Sequence, residues 1–351
     1  MLVGVNTLTL APGDGGGEEV YLRNVLAKMR MVQPATRFVI FTDSRNHDSF
    51  DGWDRVNVGD CATEDINAFR GGAGRLDGAA RDAKVDLLFS PLRTAPLKCS
   101  VPVALYTLDL QFIPAPDQAP RWRDASRIKA IKRLCDESVA IVAPSQFVQK
   151  ELLEKLGVQM NHSVVAPLGV DAIFERPQRC PAEKPYLLTV GNTQASKNIP
   201  RLLQAFAKIR EEFPHSLVVV GRPGDAEPED WGDRVIRIDR FPAAALAGLY
   251  QHCDAFVCAS LYEGSGVTVL EAMRAGASVV AGRIGGIPEV ASTVPLYLNP
   301  ENVSSIVSTV RRALTENPSE RSHRIKAGHA IASEFSWENC AWKTLAAFKR
   351  L

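Results

Sequence analysis

The chain has 351 residues, of which 46% are hydrophobic and 23% charged, a length that predicts about two domains and a composition typical of a globular protein. Its formal net charge of +1 excludes the basic excess expected of a general nucleic-acid binder. The seven cysteines are scattered without a C-x-x-C pair, and no Cys or His cluster has zinc-ligand spacing, so neither a disulfide framework nor a zinc site is expected.

Short apolar runs rich in β-branched residues alternate with stretches of helical period along the chain. Such runs are typical of parallel strands that helices cover on both faces. In the first half, the clearest helices are predicted at 17–30 and 146–156. The strands of that half are predicted at 2–8, 37–42, 85–90, 101–108, 139–145 and 163–169.

The same alternation restarts after residue 185, which predicts a second domain of the same kind. Two such series predict an α/β protein with two Rossmann-like, doubly wound domains that face each other across a cleft. Ligands bind at the carboxyl ends of the strands in such sheets, so we expect them in that cleft. The second series has predicted strands at 186–191, 216–221, 235–238, 255–260 and 278–282, and helices at 199–212, 243–252, 267–275 and 302–315.

The predicted domain boundaries follow from where this periodicity stops. Residues 171–185 contain three prolines and no regular period, as is typical of a linker. We therefore assign residues 1–170 to the first domain and 186–335 to the second. Residues 336–351 have a helical period and follow the last strand of the second series.

The stretch EGSGVTVLEAMRAG at 263–276 is a candidate binding site. Glu263 follows a predicted strand, and the glycines of 264–266 would let a ligand approach the main chain. A helix beginning near Val267 or Thr268 would direct its unpaired amides and positive dipole end at a diphosphate. We expect Glu271 in the first turn of that helix, so that Glu263 binds a hexose hydroxyl and Glu271 a ribose hydroxyl of a nucleotide sugar. On spacing alone, a capped helix without a ligand remains an equal alternative.

The longer stretch 263–290 resembles the signature of the retaining glycosyltransferases of family 4, which have the GT-B fold. It has two glutamates separated by seven residues, then a small-residue strand and a G-G-x-P-E turn from Gly285 to Glu289. Residues 186–206 are similar to the opening of that family's second domain, and Lys197 takes the place of the lysine that binds the donor diphosphate. Residues 143–158 and 164–171 are similar to the end of the family's first domain, and 333–342 to its terminal segment, whose last helix returns to the first domain.

Two positions depart from the family pattern. Asn192 stands where an arginine is common, as in a subgroup resembling lipopolysaccharide mannosyltransferases. This leaves Lys197 with more of the diphosphate binding and favours GDP-mannose as donor. Leu108 stands where relatives often have a histidine, so that Asp109 alone remains near the reacting sugar. An aspartate that caps a turn is the alternative for Asp109.

The loop at 11–26 places Gly15, Gly16 and Gly17 between the first strand and its helix. Glu18 stands where the third glycine of a G-x-G-x-x-G dinucleotide motif belongs, which disfavours an NAD-dependent enzyme. In family 4, a glycine pair at this place lets the loop approach the donor diphosphate and the acceptor. An unoccupied surface turn is the alternative.

The resemblance implies a retaining hexosyltransferase of polysaccharide biosynthesis. It would move a hexose such as mannose from a GDP- or UDP-linked donor to a saccharide or lipid-linked saccharide. No D-x-D motif occurs, so we expect neither a metal nor another cofactor. The alternatives are a nucleotide-sugar epimerase or phosphorylase, and a catalytically silent nucleotide-binding subunit of another glycosyltransferase. The implied catalytic residues are Glu263, Lys197 and Asp109, and the implied donor-binding residues are Gly15, Gly16, Asn192, Lys197, Glu263, Gly264, Ser265, Gly266, Val267, Thr268 and Glu271.

The segment 121–134 carries six basic residues and an apolar stripe of Ile128, Ile131 and Leu134. A basic amphipathic helix can contact an anionic membrane, as a lipid-linked acceptor would require. The alternative is a solvated helix whose apolar stripe packs inward. Because the sequence begins without a basic segment and has no long apolar stretch, we expect neither a signal peptide nor a transmembrane helix. We therefore expect a cytoplasmic protein, with peripheral membrane contact through 121–134 as a hypothesis.

Overall fold

The computed structural model describes residues 1–8, 10–13, 16–60, 70–113 and 122–349, with side chains in all of these except 70–73 and 122–127. Two compact units make up the chain. The first unit is Met1–Leu168 together with Trp337–Leu351, and the second is Gly169–Ser336.

The first unit is built on a seven-stranded parallel sheet. Its elements are β1 (Leu2–Asn6), α1 (Gly16–Val32), β2 (Arg37–Thr42), β3 (Asp54–Asn57), α2 (Arg70–Asp82), β4 (Leu87–Pro91), β5 (Val103–Tyr106), α3 (Trp122–Glu137), β6 (Ala140–Ala143), α4 (Gln146–Leu156) and β7 (Ser163–Val165). The strand order is β3-β2-β1-β4-β5-β6-β7, with all neighbours parallel. Every residue of β4, β5 and β6 is buried, as expected for apolar strands that are covered on both faces.

The second unit is built on a six-stranded parallel sheet. Its elements are β8 (Tyr186–Val190), α5 (Ile199–Glu212), β9 (Ser216–Val220), β10 (Val235–Ile238), α6 (Ala243–His252), β11 (Ala255–Cys258), α7 (Val267–Arg274), β12 (Val279–Gly282), α8 (Ile287–Ala291), β13 (Leu296–Leu298), α9 (Val303–Thr315) and α10 (Pro318–Ser333). The strand order is β10-β9-β8-β11-β12-β13, which is the doubly wound order of a Rossmann sheet. The predicted fold class, two Rossmann-like α/β domains, is confirmed.

The last helix, α11 (Trp337–Phe348), belongs to the first unit. It packs along α1, where Lys28 Nζ lies 2.5 Å from the Glu338 carboxylate. At its other end, the Phe348 ring packs edge-on against Phe89 of β4, with the ring centroids 5.1 Å apart. These contacts make the terminal helix part of the core of the first unit.

Residues 171–185, the predicted linker, are part of the second unit. Ala172–Phe174 forms a turn of 3-10 helix, and the Phe174 side chain is buried. Gln251 of α6 donates hydrogen bonds to the carbonyls of Phe174 at 2.9 Å and Arg176 at 2.7 Å. The segment is therefore tied to α6 by specific hydrogen bonds, although its sequence has no regular period.

Five elements of the structure were not predicted from the sequence: β3, α2, α8, β13 and α10. The edge strand β3 has the sequence DRVN and is mostly exposed, so it lacks an apolar run. The strand β13 has three residues, and α8 has five. The helix α2 contains a single large apolar residue, Leu76, so it lacks the apolar stripe that predicts a core-facing helix. In α10, the apolar residues follow no helical period.

Candidate functional site

The predicted Lys197 and Glu263 lie in loops that leave the carboxyl ends of two neighbouring strands. β8 pairs with β11 in parallel, with Leu188 opposite Phe256. Lys197 lies in the loop after β8, and Glu263 in the loop after β11. Because these strands run side by side in the same direction, both loops leave the same edge of the sheet, at the point where the strand order reverses.

Lys197 and Glu263 form an ion pair at this edge. Lys197 Nζ donates a hydrogen bond to Glu263 Oε1 at 2.7 Å, and the two side chains are 20% and 8% exposed. The Ser260 hydroxyl donates to the same oxygen at 2.8 Å, and the Cys258 thiol lies 3.8 Å from it. Two charges removed from water are stable only when they are paired and hydrogen-bonded, and this pair meets both conditions.

The two oxygens of the Glu263 carboxylate differ in their surroundings. All three recorded donors, the Lys197 ammonium, the Ser260 hydroxyl and the Cys258 thiol, address Oε1. Within the described residues, no hydrogen bond is recorded to Oε2. The Glu263 side chain is therefore fixed through one oxygen, and the other oxygen remains to accept a hydrogen bond from a ligand.

The loop that carries Lys197 is anchored by Asn198, a residue that the sequence analysis did not select. Asn198 is buried and has left-handed backbone angles, with φ 59° and ψ 30°. Its side-chain amide donates to the carbonyls of Ala259 at 2.9 Å and Pro300 at 2.8 Å. Nearby, the Leu261 amide donates to the Ser196 carbonyl at 2.7 Å. These bonds join the loop after β8 to the loop after β11.

Asn192, at the start of the same loop, is predicted to bind the sugar donor. In the structure its side chain closes a local turn. Its side-chain oxygen accepts a hydrogen bond of 3.4 Å from the Gln194 amide. The next residue, Thr193, is buried, accepts from the Gly224 amide at 2.6 Å and donates to Glu227 at 2.5 Å. Asn192 itself is partly exposed, so a role in binding the donor stays a prediction.

The G-G-x-P-E turn holds the backbone of Glu263. The Gly286 amide donates to the Glu263 carbonyl at 2.8 Å. Gly285 has φ +56°, and a Cβ at this position would lie 2.1 Å from the same carbonyl oxygen. The turn approaches Glu263 so closely that only glycine fits at residue 285.

The helix α7 begins directly after this anchored carboxylate. Gly266 precedes it in the left-handed region, with φ 68° and ψ 20°. The Ser265 hydroxyl accepts a long hydrogen bond of 3.4 Å from the Val267 amide. The Thr268 hydroxyl oxygen is buried and has no hydrogen-bond partner within the described residues. The amide end of α7 carries a positive partial charge. It begins at Val267, three residues after the buried Gly264 and four after Glu263.

Glu271 lies in the second turn of α7, so the expectation that it lies in the first turn is wrong. The helix begins at Val267, and its first turn contains no acidic residue. Burial raises the pKa of Glu271 to about 7, and a hydrogen bond of 3.2 Å from the Tyr250 hydroxyl to Oε2 acts in the opposite direction. The Glu271 carboxyl group therefore changes its charge close to neutral pH.

The remaining predicted site residues belong to the first unit. Gly16 is the first residue of α1, and Gly15 lies outside the described residues. Asp109 follows β5, where its side-chain oxygen accepts from the Gln111 amide at 3.1 Å and its carbonyl accepts from the Thr107 hydroxyl at 2.6 Å. Asp109 therefore caps a turn, in accord with the structural alternative, and its contact with a sugar stays a prediction.

The basic segment 121–134 corresponds to most of α3, although residue 121 and the side chains of 122–127 lie outside the described part. Ile131 and Leu134 are buried in the core of the first unit, and Ile128 packs against the same core. Lys129, Lys132 and Arg133 are exposed. The apolar stripe thus packs inward, so any membrane contact would use the basic residues alone. No helix in the described part of the chain is long and apolar enough to cross a bilayer.

A cavity of about 580 Å³ lies elsewhere in the second unit, between the start of β13 and the helices α9 and α10. Its lining mixes charges of both signs, and its Arg324 and Glu316 form an ion pair of 2.5 Å with each other. It contains none of the predicted site residues. In the described residues, no three His, Cys, Asp or Glu side chains are grouped as metal ligands.

Comparison with known sequences finds a match to the family described as "Glycosyl transferases group 1" over residues 171–330. O-antigen chain mannosyltransferase B of Escherichia coli is 28% identical over 263 residues, which cover 69% of each chain. The serotype-specific mannosyltransferase WbdA of Escherichia coli is 29% identical over 237 residues, which cover 60% of this chain but only 29% of WbdA. The matched family region contains both Lys197 and Glu263.

Comparison with solved structures finds the same fold over the whole chain. Sucrose-phosphate synthase from Thermosynechococcus elongatus superposes with a TM-score of 0.78 at 18% identity, covering 100% of this chain and 98% of the other. Alr3699/HepE of Anabaena, solved in complex with UDP and glucose, superposes with a TM-score of 0.77 at 16% identity, covering 100% of both chains. Because both sequence identities are below 20%, these two comparisons establish the fold alone.

Replacing Gly285 by alanine should displace the Glu263 backbone. We expect Gly285→Ala to lower the free energy of unfolding by about 2–4 kcal/mol, since it combines left-handed strain with a backbone clash. Gly276→Ala is the matched control, because Gly276 has φ +78° but only one atom, 3.9 Å away, near the added Cβ. Its cost should be about 1 kcal/mol. Equal losses in urea titrations of the two variants would contradict the close approach at Gly285.

Proposed function

We propose that this protein is a retaining hexosyltransferase. The premise is that residues 171–330 match the family of glycosyl transferases group 1. The protein takes a hexose from a nucleoside-diphosphate sugar and joins it to a hydroxyl of a saccharide or lipid-linked saccharide, without a metal. The observation that carries the proposal is the largely buried Lys197–Glu263 ion pair, whose Glu263 lies four residues before the amide end of α7. This arrangement offers a cation and helix amides to a diphosphate, and a fixed carboxylate to a sugar hydroxyl.

The diphosphate leaving group is held by Lys197 and the first amides of α7. Negative charge grows on the bridging oxygen as the bond to the sugar breaks, and fixed positive groups at that place lower the barrier. Lys197 is suited to this because its Nζ is positioned by Glu263 before any ligand arrives. The same positive groups perform the task for which other enzymes use a bound metal.

The hexose is oriented by Glu263 through Oε2, the oxygen that is left to accept a hydrogen bond. The reaction breaks the bond between the sugar C1 and the phosphate oxygen, and forms a bond from C1 to the acceptor oxygen on the same face. The acceptor proton passes to the leaving phosphate, so that atoms and charge balance. Asp109 and Gly16 of the first unit are assigned to the acceptor side, on the strength of the family resemblance alone.

Mannose, delivered from its GDP-linked form, is the hexose that we propose. This choice is supported by Asn192, which stands where an arginine is common in the family. It is also supported by two relatives that are named as mannosyltransferases. A thermal-shift screen with GDP, UDP, GDP-mannose and UDP-glucose tests it. We expect the largest rise in the unfolding temperature with the GDP ligands. A larger rise with the UDP ligands would overturn the choice of base but not the transferase.

A catalytically silent nucleotide-binding subunit is the alternative that the departures at Leu108 and Asn192 favour. The two readings differ in turnover. With labelled GDP-mannose and a mannose-bearing oligosaccharide, a transferase yields an elongated product with the α linkage of the donor, and a silent subunit yields none. An inverted linkage would overturn the retaining assignment.

Removing Lys197, the cation proposed to bind the diphosphate, should reduce turnover by more than the accompanying loss of stability explains, although it leaves the Glu263 carboxylate without its ion-pair partner. We expect Lys197→Ala to lower kcat/KM for the donor by about 100-fold or more, as for the loss of other groups that stabilise transition-state charge. Lys208→Ala, at an exposed lysine of α5, is the matched control and should keep full activity. Circular dichroism of both variants checks the fold, and near-normal turnover of Lys197→Ala would make the assignment wrong.

Nucleotide affinity should increase with pH across neutrality. A ribose hydroxyl donates to the ionised form of Glu271, whose pKa is raised to about 7, so protonation below pH 7 replaces a charged acceptor by a much weaker neutral one. Isothermal titration calorimetry with GDP should show a roughly tenfold loss of affinity from pH 8 to pH 6. Glu271→Gln cannot titrate but leaves the titration of the phosphate itself in place. Its pH dependence is therefore the baseline, and an identical slope in the two proteins would refute the role of Glu271.

A further inference from the structure

Tyr250 of α6 is fully buried, yet its hydroxyl contacts Glu271, the carboxylate that is proposed to bind the ribose. Its ring is packed edge-on by Phe174, with centroids 5.8 Å apart, and by Phe256 of β11, with centroids 5.2 Å apart. A ring held on two sides in a close-packed core has little freedom to turn. The position of the Tyr250 hydroxyl is therefore fixed by the core of the second unit.

That hydroxyl serves as a permanent hydrogen-bond donor. It lies 3.2 Å from Glu271 Oε2. Burial raises the pKa of Tyr250 well above its ordinary value, and the neighbouring Glu271 acts in the same direction, so the phenol keeps its proton at any physiological pH. Within the described residues, no side-chain donor other than Tyr250 is recorded for the Glu271 carboxyl group.

We propose that Tyr250 is a positioning residue for recognition of the donor ribose. By binding Oε2, its hydroxyl fixes the Glu271 carboxylate so that Oε1 is presented to a ribose hydroxyl. This inference rests on the proposed function, in which Glu271 binds the ribose. It goes further in assigning a residue that lies 21 positions earlier in the chain, on another helix, and that does not itself touch the ligand.

The physical reason lies in the place of Glu271 on its helix. In the second turn of α7, its carboxyl group has no free helix amides to bind, and it has left much of its water. An acidic side chain so placed either protonates or turns away unless a donor compensates it. The Tyr250 hydroxyl is that donor, and it costs little entropy because its ring is already fixed.

Tyr250→Phe removes the hydroxyl and leaves the ring. We measure affinities by isothermal titration calorimetry for GDP and for 2′,3′-dideoxy-GDP, which lacks both ribose hydroxyls, with UDP and its dideoxy form in parallel. The variant should bind the intact nucleotide about 10- to 100-fold more weakly, as for the loss of one hydrogen bond to a charged group. Its affinity for the dideoxy nucleotide should stay within about twofold of that of the unchanged protein, since no ribose hydroxyl remains to be recognised.

Tyr186→Phe is the matched control. Tyr186 is also fully buried in the core of the second unit, and its hydroxyl donates at 2.8 Å to the Leu249 carbonyl rather than to a carboxylate. Loss of this hydroxyl should lower the unfolding temperature without changing the ratio of the two affinities. The double variant Tyr250→Phe/Glu271→Gln is a second measurement. Its ratio of the affinity for GDP to that for dideoxy-GDP should equal the ratio of the single variant Glu271→Gln.

The outcomes separate this proposal from the proposed function. If the unchanged protein binds no nucleoside diphosphate, the proposed function fails and the role of Tyr250 fails with it. If it binds GDP more tightly than the dideoxy form, but Tyr250→Phe weakens both nucleotides equally, the ribose site stands and Tyr250 is only structural. An equal change of the ratio in Tyr186→Phe would likewise overturn the positioning role.

Discussion

The ion pair between Lys197 and Glu263 is the contact on which the rest of the site depends. It exists because β8 and β11 are parallel neighbours at the point where the strand order reverses, so that two distant loops leave the same edge. Removing either partner would leave the other charge largely buried and uncompensated, which is costly. The Ser260 hydroxyl adds a neutral donor to the same carboxylate oxygen. The pair is therefore costly to break from one side, and in the proposed function it positions the charged groups before a ligand binds.

The backbone around the pair is held by hydrogen bonds between loops. Asn198 binds the carbonyls that follow β11 and β13, and the Leu261 amide binds the loop after β8. The G-G-x-P-E turn encloses the Glu263 carbonyl from the other side. Four loops, those after β8, β11, β12 and β13, thus share one hydrogen-bonded frame, and such a frame keeps the charged groups in place without a ligand.

The sequence predicts the parts of this protein that follow a local rule. The continuous apolar runs of the inner strands indicate both sheets, and the spacing of glycines and glutamates after β11 is the pattern from which the anion site is proposed. Elements without such a period, among them β3 and α10, were not found. The Glu271–Tyr250 contact was also missed, because two residues on different helices are brought together only by tertiary packing. The error at Glu271 did not come from the helix start, because Val267, one of the two predicted first residues, does begin α7. Glu271 lies four residues after Val267, which is already beyond the first turn of 3.6 residues.

The seven-residue spacing of the two glutamates places Glu271 in the second turn of α7, and this position has a physical reason. A carboxylate in the first turn would itself bind the helix amides and would repel a diphosphate placed there. Four residues after Val267, it is displaced by about 6 Å along the helix axis, which leaves the amide end to the anion. The displacement removes the carboxyl group from those amides, and its partial burial disfavours the charged form, so its charge needs another donor. The Tyr250 hydroxyl supplies that donor, and in the proposed function the seven-residue interval separates the sugar contact of Glu263 from the ribose contact of Glu271 by one anion site.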